Sequence, residues 1–388
     1  TYSSRIGRWI NLLHTYAKHA NEHSKSHSWA RAPMTLPQTV KHITSRDVAA
    51  RAGVSQSAVS RCFTPGTSVA AETRERVLKA AMELGYRPNV HARNLITGRS
   101  RMVGVVLAHL DNLFYPRFLQ GLTDALQAQG MQVLLFVADG RHQAELMEQL
   151  LNYRVDGIVL AATTLNAELA RACTAAGIPV VLFNRVAGDD IDRAFHSVQT
   201  DQEAGTAALT RLLIANGHRR IAYLAGNLES STNQTRERGC RAALAAAGQT
   251  LFAYGVGDYD ETLAAAQVLK WFRTGQRRRP LAQCPDAIVV ADDQMALAVI
   301  DTLRHTLGLR VPEQVSVVGF DDVPQAAWPS YELTTHAQPL PEMIEAVMKL
   351  LSVQLQGRDQ QGTEPATGQS IILQGHMRLR GSVRINSV

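Results

Sequence analysis

The sequence lacks the features that mark most membrane, secreted and disulfide-stabilised proteins. It contains no run of about 18 apolar residues, so no transmembrane helix is expected. Its first residues have neither the apolar core nor the small-residue cleavage site of a signal peptide, and we expect a cytoplasmic protein. Only four cysteines occur in 388 residues, with no CxxC spacing, which is typical of reduced thiols.

Motifs for catalysis and for cofactors are missing as well. The chain has no GxSxG, no P-loop and no GxGxxG after a strand, and its histidines and cysteines show no partner spacing. His19, His23 and His27 have helical spacing, but no cysteine or carboxylate completes a metal set and the serines among them disfavour a helix. We therefore expect a protein that is not an enzyme and that has no cofactor and no bound metal.

Charge is distributed unevenly along the chain. Residues 1–99 carry 15 Lys and Arg against 5 Asp and Glu, whereas residues 100–388 carry 25 against 29. A basic amino-terminal piece on a mildly acidic body indicates a polyanion partner for the first segment alone. The alternative is a solvated basic tail.

The organisation changes three times along the chain. Residues 1–42 are polar and rich in histidine, and we interpret them as a disordered extension. Residues 43–88 have compact helical patterns and residues 89–100 form a polar linker. From 101 to 388, short apolar runs such as "MVGVVLAHL" and "DAIVVADD" alternate with helical patterns in two successive series. This predicts an α/β body of two doubly wound subdomains with parallel sheets, which bind ligands at the carboxyl ends of their strands.

The stretch "TSRDVAARAGVSQSAVSRCF" predicts two short helices with a tight turn between them. Thr44 and Asp47 form a capping pair, Gly53 permits the turn and Ser55 caps the second helix. A third helix is predicted from Glu72 to Leu84. Three such helices form a helix-turn-helix module. The alternative is a small helical bundle with a polar face.

The second helix carries polar side chains that its apolar face does not use, namely Gln56, Ser57, Ser60 and Arg61. Glutamine can pair with the major-groove edge of adenine and arginine with that of guanine. The hydroxyls of Thr44 and Ser55, together with the helix amino termini, can hold phosphates. These residues are our candidates for contact with double-stranded DNA.

The segment "ITSRDVAARAGVSQSAVSRCF…ETRERVLKAAMELGYRPNVHARNL" closely resembles the DNA-binding headpiece of the LacI/GalR (lactose-repressor) family of transcription regulators. The resemblance continues through "GHRRIAYLAG", "ADDQMALAVIDTL" and "VSVVGFDD", and covers residues 43–383. It implies a helix-turn-helix headpiece on a body with the periplasmic-binding-protein fold. It also implies a homodimer that reads two half-sites of a pseudopalindromic operator.

The resemblance assigns roles that the residue patterns do not. Residues 89–97 resemble the family's hinge helix, in which Leu95 matches the leucine that wedges into the minor groove. Asn89 and Arg93 would contact the DNA backbone nearby. The sequence departs from the family pattern at three points: it has Phe63-Thr64-Pro65-Gly66 after the second helix, Ala70 before the third, and the short Ser57 on the reading face. We therefore predict the operator's symmetry and not its sequence.

The resemblance also assigns residues to an effector site in the body. Arg236 and Asp293 match the arginine and the acidic residue that bind ligand in the family. Phe114, Tyr115 and Tyr259 match ring positions that pack on it, and Arg185, Asp292 and Trp328 are weaker candidates. The alternative for the aromatic residues is core packing, and for Arg236 and Asp293 it is a surface ion pair.

Taken together, the sequence predicts an operator-binding transcriptional regulator, most often a repressor in this family, that responds to a small ligand. We expect a sugar or sugar derivative, with a nucleobase or nucleoside as the second possibility. A transporter's solute-binding protein would have the same body without residues 44–98, and an enzyme would need catalytic motifs that are missing. The carboxyl end has no leucine heptad, so no tetramerising coiled coil is expected.

Overall fold

The computed structural model divides the chain into two compact units, Thr1–Val90 and His91–Val388. It describes residues 43–64 and 66–87 of the first unit, and residues 99–108, 110, 112–138, 143–161, 167–184, 195–357 and 368–386 of the second. The predicted extension over residues 1–42 lies outside these ranges. No helix within the ranges is both long and apolar enough to cross a bilayer.

The first unit contains three helices, α1 (Ser45–Ala52), α2 (Gln56–Cys62) and α3 (Ala71–Leu84). The predicted capping box is confirmed: the Thr44 hydroxyl accepts the amide of Asp47, whose carboxylate accepts the amide of Thr44 at 2.8 Å. The Ser55 hydroxyl accepts the amide of Ala58 at 3.2 Å and begins α2. Gly53, at φ 65°, makes the left-handed turn that ends α1, a conformation with a low steric cost for glycine.

Helix α3 starts without a side-chain cap, as the Ala70 departure predicts. Arg74 ties this start to the end of α2, because its guanidinium donates to the carbonyl oxygen of Cys62 at 3.0 Å. The Phe63 ring packs at 5.8 Å from the ring of Tyr86. These contacts hold the loop after α2, where the sequence departs from the family pattern.

The second unit consists of two lobes, each built on a six-stranded sheet. Its strands, in chain order, are β1 (Met102–Leu107), β2 (Gln132–Val137), β3 (Gly157–Ala161), β4 (Val180–Phe183), β5 (His196–Thr200), β6 (Ile221–Ala225), β7 (Ala253–Val256), β8 (Arg273–Thr274), β9 (Arg277–Arg278), β10 (Ala287–Val290), β11 (Ser316–Asp321), β12 (Thr334–Ala337), β13 (Ser370–Leu373) and β14 (His376–Arg378). Its helices are α4 (Phe114–Ala128), α5 (Gln143–Asn152), α6 (Ala167–Ala175), α7 (Gln202–Ala215), α8 (Ser231–Ala246), α9 (Glu261–Phe272), α10 (Asp293–Asp301) and α11 (Leu340–Gly357).

The strand orders confirm the predicted pair of doubly wound sheets. The first lobe has the order β13-β5-β4-β3-β1-β2 and is parallel throughout. The second has the order β14-β12-β11-β10-β6-β7 and is parallel except for β14. The short β8–β9 hairpin pairs only with itself among the described strands.

The chain passes between the lobes three times, after β5, after β12 and after β13. Helix α11 packs back on β4 and β5 of the first lobe before β13 joins the same sheet. Several elements are not predicted by the sequence, namely α7, α11 and the strands β5, β8, β9, β12, β13 and β14. Strands such as "HSVQT" and "TTHA" are polar, and their burial comes from neighbouring strands that the local sequence does not reveal.

Candidate functional site

The four candidate residues for base contacts lie on the exposed face of α2. Ser57, Ser60 and Arg61 are exposed to solvent, whereas Val59 and Cys62 on the same helix are buried in the three-helix core. Gln56 is also exposed, and its side-chain amide donates to the Ser45 hydroxyl at 2.9 Å. This contact orients Gln56 from α1, so a hydrogen bond to a base would need that contact to change or be shared.

The amino-terminal ends of α1 and α2 carry the two hydroxyls that the sequence singled out as phosphate contacts. The Ser55 hydroxyl caps α2 and also forms a hydrogen bond with the Ser57 hydroxyl, whose oxygen lies 2.9 Å away. The Thr44 hydroxyl donates to the Asp47 carboxylate at 2.7 Å. A helix amino terminus attracts anions through its free amides and its dipole. Asn89, Arg93 and Leu95, the predicted hinge contacts, lie outside the described residues.

In the second unit, the carboxyl ends of strands from the two lobes face each other, and we call the region between them the cleft. Asn112, after β1, donates to the carboxylate of Asp292, after β10, at 3.1 Å. Arg117 of α4 donates to the carbonyl oxygen of Asp322, after β11, at 2.9 Å. These hydrogen bonds join the lobes at the edge where ligands of parallel sheets bind.

Arg236 lies at the base of this cleft and is 4% exposed. Its guanidinium donates to the Gln202 side chain at 2.7 Å, to the carbonyl oxygen of Ala291, and to the Asp321 carboxylate at 3.1 Å. It also lies over the Phe320 ring, 3.8 Å from the centroid. The surface ion pair that was the alternative for Arg236 is therefore wrong, because this ion pair is buried.

Asp321 extends the network of Arg236 to both lobes through Gln338. The Gln338 amide nitrogen donates to Asp321 at 2.6 Å, and its oxygen accepts from Asn184 at 2.8 Å and from Thr200 at 2.9 Å. Asn184 follows β4 and Thr200 ends β5 in the first lobe, whereas Asp321 ends β11 of the second. The base of the cleft is thus a continuous polar network that spans both lobes.

Asp292 and Asp293 begin α10 together but make different contacts. The Asp293 carboxylate accepts the Thr335 hydroxyl at 2.6 Å and the amide of Val323 at 2.9 Å, both within the second lobe. Asp292, the weaker candidate, makes the contact across the cleft to Asn112. Both carboxylates are completely buried, which excludes a surface ion pair for Asp293; ligand contact by Asp293 stays a prediction.

Three buried carboxylates, those of Asp292, Asp293 and Asp321, lie near the buried guanidinium of Arg236. Burial, and then the nearby Asp321 carboxylate, raise the pKa of Asp292 to about 7 and that of Asp293 to about 8. Burial also raises the pKa of Asp321, although Arg236 opposes this shift. Near neutral pH, both Asp292 and Asp293 can therefore hold a proton and donate as well as accept a hydrogen bond.

The aromatic candidates differ in burial. Phe114 is 3% exposed and stacks on Phe183, so its ring belongs to the core of the first lobe. Tyr115 and Tyr259 are half-buried. Trp328 lies half exposed in the turn that precedes β12, and Arg185 lies outside the described residues.

Sequence reasoning missed the polar residues that join the lobes: Asn112, Asn184, Gln202, Asp321 and Gln338. Asn184 follows the apolar run "PVVLF" and Asp321 follows "VSVVGF", and both runs have the pattern of a buried strand. The position after a strand was thus an available signal. Gln338 follows β12, which was not identified, and had no such signal.

Two family models match the chain, one on each side of residues 90–99. Residues 44–89 match the model described as bacterial regulatory proteins, lacI family. Residues 100–344 match the model described as periplasmic binding proteins and sugar binding domain of LacI family.

Characterised relatives match nearly their whole length. The HTH-type transcriptional regulator CelR of Thermobifida fusca is 35% identical over 86% of this chain and 96% of its own. Catabolite control protein A of Priestia megaterium is 30% identical over 80% of this chain and 92% of its own length. The lac repressor dimer bound to operator and the anti-inducer ONPF covers 88% of this chain and 99% of its own, at 27% identity and a TM-score of 0.76. The structure of the CelR–cellobiose complex covers 88% of this chain and 99% of its own, at 31% identity and a TM-score of 0.63.

Proposed function

The chain belongs to the lacI family of bacterial regulatory proteins, and we propose that it binds operator DNA under the control of a sugar-like ligand held between its lobes. One observation carries the proposal: a helix-turn-helix with an exposed polar second helix and a two-lobed body with a polar cleft occur in one chain. A solute-binding protein would need only the body. The relatives are transcriptional regulators rather than enzymes.

The DNA contacts are proposed for the solvent-facing side of α2. Gln56, Ser57, Ser60 and Arg61 would enter the major groove, while Thr44 and Ser55 would meet phosphates at the helix ends. Asn89, Arg93 and Leu95 are proposed to act in the minor groove at the hinge, as the family resemblance implies. Because the DNA is chromosomal, we expect the protein in the bacterial cytoplasm.

The ligand is proposed to bind above Arg236, Asp292 and Asp321, with Tyr115 and Tyr259 beside it. Arg236 is already neutralised by Asp321, and Asp292 and Asp293 can hold protons, so the cleft offers hydrogen bonds rather than net charge. Such a site favours a neutral, hydroxyl-rich ligand over an anion. The CelR–cellobiose complex supports a sugar, because that relative resembles this chain over 88% of its length.

A homodimer is proposed to present two copies of α2 to the two half-sites of an operator. Each sheet has an edge strand with exposed apolar side chains, Leu135 and Val137 on β2 and Phe252 and Tyr254 at β7. Exposed apolar edges of this kind mark association surfaces. The lac repressor relative is described as a dimer on its operator.

Genomic selection with the full-length protein tests DNA recognition. We expect enrichment of a palindromic sequence, and Arg61→Ala should weaken binding to that sequence by about 1–3 kcal/mol and relax one base position. Arg76→Ala, which removes an exposed arginine from α3, is the matched control. Unselective recovery of DNA by the wild type, or equal losses in the two variants, would contradict the assignment to α2.

Thermal denaturation of the full-length protein identifies the ligand class. Neutral sugars, sugar phosphates, sugar acids and nucleosides are compared, and a ligand present at 100 times its Kd should stabilise the native state by about 2.7 kcal/mol. We expect stabilisation by a neutral sugar. Stabilisation only by phosphorylated or acidic ligands would mean that Arg236 is available to anions and that the proposed balance of charge is wrong.

A further inference from the structure

One end of the body carries a concentration of arginine that the proposed function leaves unused. Because the carboxyl ends of β10 and β11 face the first lobe through Asp292 and Asp322, the amino-terminal ends of these strands lie at the opposite end of the second lobe. The segments that enter β6, β10 and β11 are residues 218–220, 273–286 and 304–315. These segments therefore form the end of the second lobe that is farthest from the cleft.

Contacts between the three segments make them one continuous surface. The Arg220 guanidinium donates to the carbonyl oxygen of Cys284 at 2.7 Å. Arg273 donates to the carbonyl oxygen of Thr306 at 3.2 Å. Arg278 lies beside Gly308, with a guanidinium nitrogen 3.3 Å from the position that a Cβ would take. The β8–β9 hairpin is thereby held against the loop that precedes β11.

The charge of this surface is opposite to that of the rest of the body. The three segments carry eight arginines against two carboxylates, whereas the remainder of residues 100–388 carries 17 Lys and Arg against 27 Asp and Glu. One of the two carboxylates, Asp286, is already engaged by the backbone amides of Arg219 and Arg220 and by the side chains of Arg220 and His218. Local positive charge is therefore in large excess.

The exposed members of this surface are Arg219, Arg277, Arg278, Arg279 and Arg310, which we call the arginine face. Arg279 braces the hairpin, since its side chain donates to the backbone of Arg273 at 3.2 Å and to the Thr274 hydroxyl at 3.0 Å. Arg277 and Arg278 occupy the second strand of the hairpin with their side chains exposed. They can approach a flat or convex polyanion.

We propose that the arginine face is a second nucleic-acid surface, which docks the phosphate backbone of a DNA duplex other than the one held by α2. The inference rests on the proposed function, since a protein concentrated on the chromosome meets neighbouring duplexes. A duplex carries a charge every ~1.7 Å and guanidinium groups pair well with phosphate. A second copy of the same face would be repelled by it, and the net negative charge of the rest of the body disfavours the docking of DNA there.

A bridging assay with the full-length protein tests this inference. One random-sequence duplex is immobilised, protein is added, and capture of a second, fluorescent duplex is measured against salt concentration. The wild type should capture the second duplex. The double variant Arg277→Glu, Arg278→Glu should stay on the immobilised duplex but capture at least tenfold less of the second. Because each phosphate contact contributes about 0.9 to the slope of log K against log salt, that slope should fall by about 2.

The matched control is the double variant Arg171→Glu, Arg211→Glu, which makes the same change of charge at exposed positions on α6 and α7. It should capture as the wild type does. The inference is overturned if the Arg277, Arg278 variant captures as much of the second duplex as the wild type does. It is also overturned if the wild type stays on the immobilised duplex but captures no second duplex. That second outcome would favour an acidic protein as the partner of the arginine face.

The experiment distinguishes loss of DNA binding by α2 from loss of DNA docking by the arginine face. If the wild type is not retained on the immobilised duplex, the α2 surface has failed. A photo-crosslinking amino acid introduced at Gln276, in the turn of the β8–β9 hairpin, then tests the arginine face directly. Crosslinks to free duplex from this position support the inference, and their absence refutes it.

Discussion

At the scale of single residues, Arg236 determines how the base of the cleft is built. Its guanidinium contacts a residue of α7, the end of β10 and the end of β11, and it covers the ring of Phe320. A buried arginine of this kind is costly to desolvate and is held by its partners. The same side chain is therefore both the proposed ligand contact and a structural connection.

Arg236→Ala should destabilise the body as well as remove the response to ligand. It leaves the buried Asp321 carboxylate without its cation, which costs about 3–5 kcal/mol of unfolding free energy. Urea denaturation monitored by circular dichroism measures this change. Arg238→Ala, two positions along α8, breaks the exposed 3.1 Å pair with Glu203 and a 3.3 Å hydrogen bond to the Thr235 hydroxyl, and should cost at most about 1 kcal/mol. Similar losses in the two variants would rule out the structural role.

Because of the raised pKa of Asp293, the free energy of unfolding of the body should fall as pH rises. The folded protein keeps the Asp293 proton up to about pH 8, whereas an unfolded aspartate releases it near pH ~4. Between these values the folded state binds more protons, so the free energy of unfolding falls as pH increases. Asp293→Asn should flatten that slope in urea denaturation at pH values between 5 and 8. Asp124→Asn, at an exposed position of α4, is the control. An unchanged slope in Asp293→Asn would mean that the Asp293 carboxyl does not cause the pH dependence.

At the scale of elements, α7 and α8 pack unusually closely on one face of the second sheet. Gly239 of α8 lies against the backbone of Glu203 in α7, and a Cβ at Gly239 would overlap that carbonyl oxygen. Glycine is needed here for close approach rather than for its backbone freedom. The approach brings Gln202 of α7 within reach of Arg236 of α8.

Gly239→Ala should therefore destabilise the body, although alanine favours a helix by about 1 kcal/mol over glycine. Overlap with a backbone atom forces the helices apart, and overpacking of this kind costs about 1–3 kcal/mol. Thermal denaturation and ligand affinity both report the displacement of Arg236. The reverse change at an exposed site of the same helix, Ala245→Gly, measures the contribution of helix propensity alone to the stability of the body. Stabilisation by Gly239→Ala would show that α8 moves freely over α7.

At the scale of the whole molecule, the proposed function links ligand binding between the lobes to the binding of DNA. The two lobes share hydrogen bonds across the cleft, and a ligand that enters there changes those contacts. If the ligand changes operator affinity by some factor, the operator changes ligand affinity by the same factor. The sign of this coupling distinguishes an induced from a corepressed regulator.

Val137→Glu should weaken the proposed dimer. Val137 is 55% exposed on the edge strand β2, and a charge there would be buried by the second protomer. Analytical ultracentrifugation should show a shift to monomer, with loss of cooperative binding to the palindrome. Val353→Glu, at a 59% exposed side chain of helix α11 and not on an edge strand, is the matched control and should leave the dimer intact. A dimer that survives Val137→Glu places the association surface elsewhere.

The sequence by itself determined the class of each part of this protein. Thr44, Asp47, Gly53 and Ser55 act within a few residues of their own positions, so the helix-turn-helix could be predicted from local rules. Continuous apolar runs with intervening helices likewise predicted parallel sheets, because a strand buried on both faces is apolar throughout its length.

Only the tertiary structure decided which polar residues meet in the cleft. Asn184, Gln338 and Asp321 are far apart in the chain, and the crossings after β5 and β12 bring them together. The contrast between Asp292 and Asp293 has the same origin, since adjacent side chains at a helix start point in different directions and meet different lobes. Local sequence encodes propensity and burial pattern, whereas these contacts depend on how distant segments are packed.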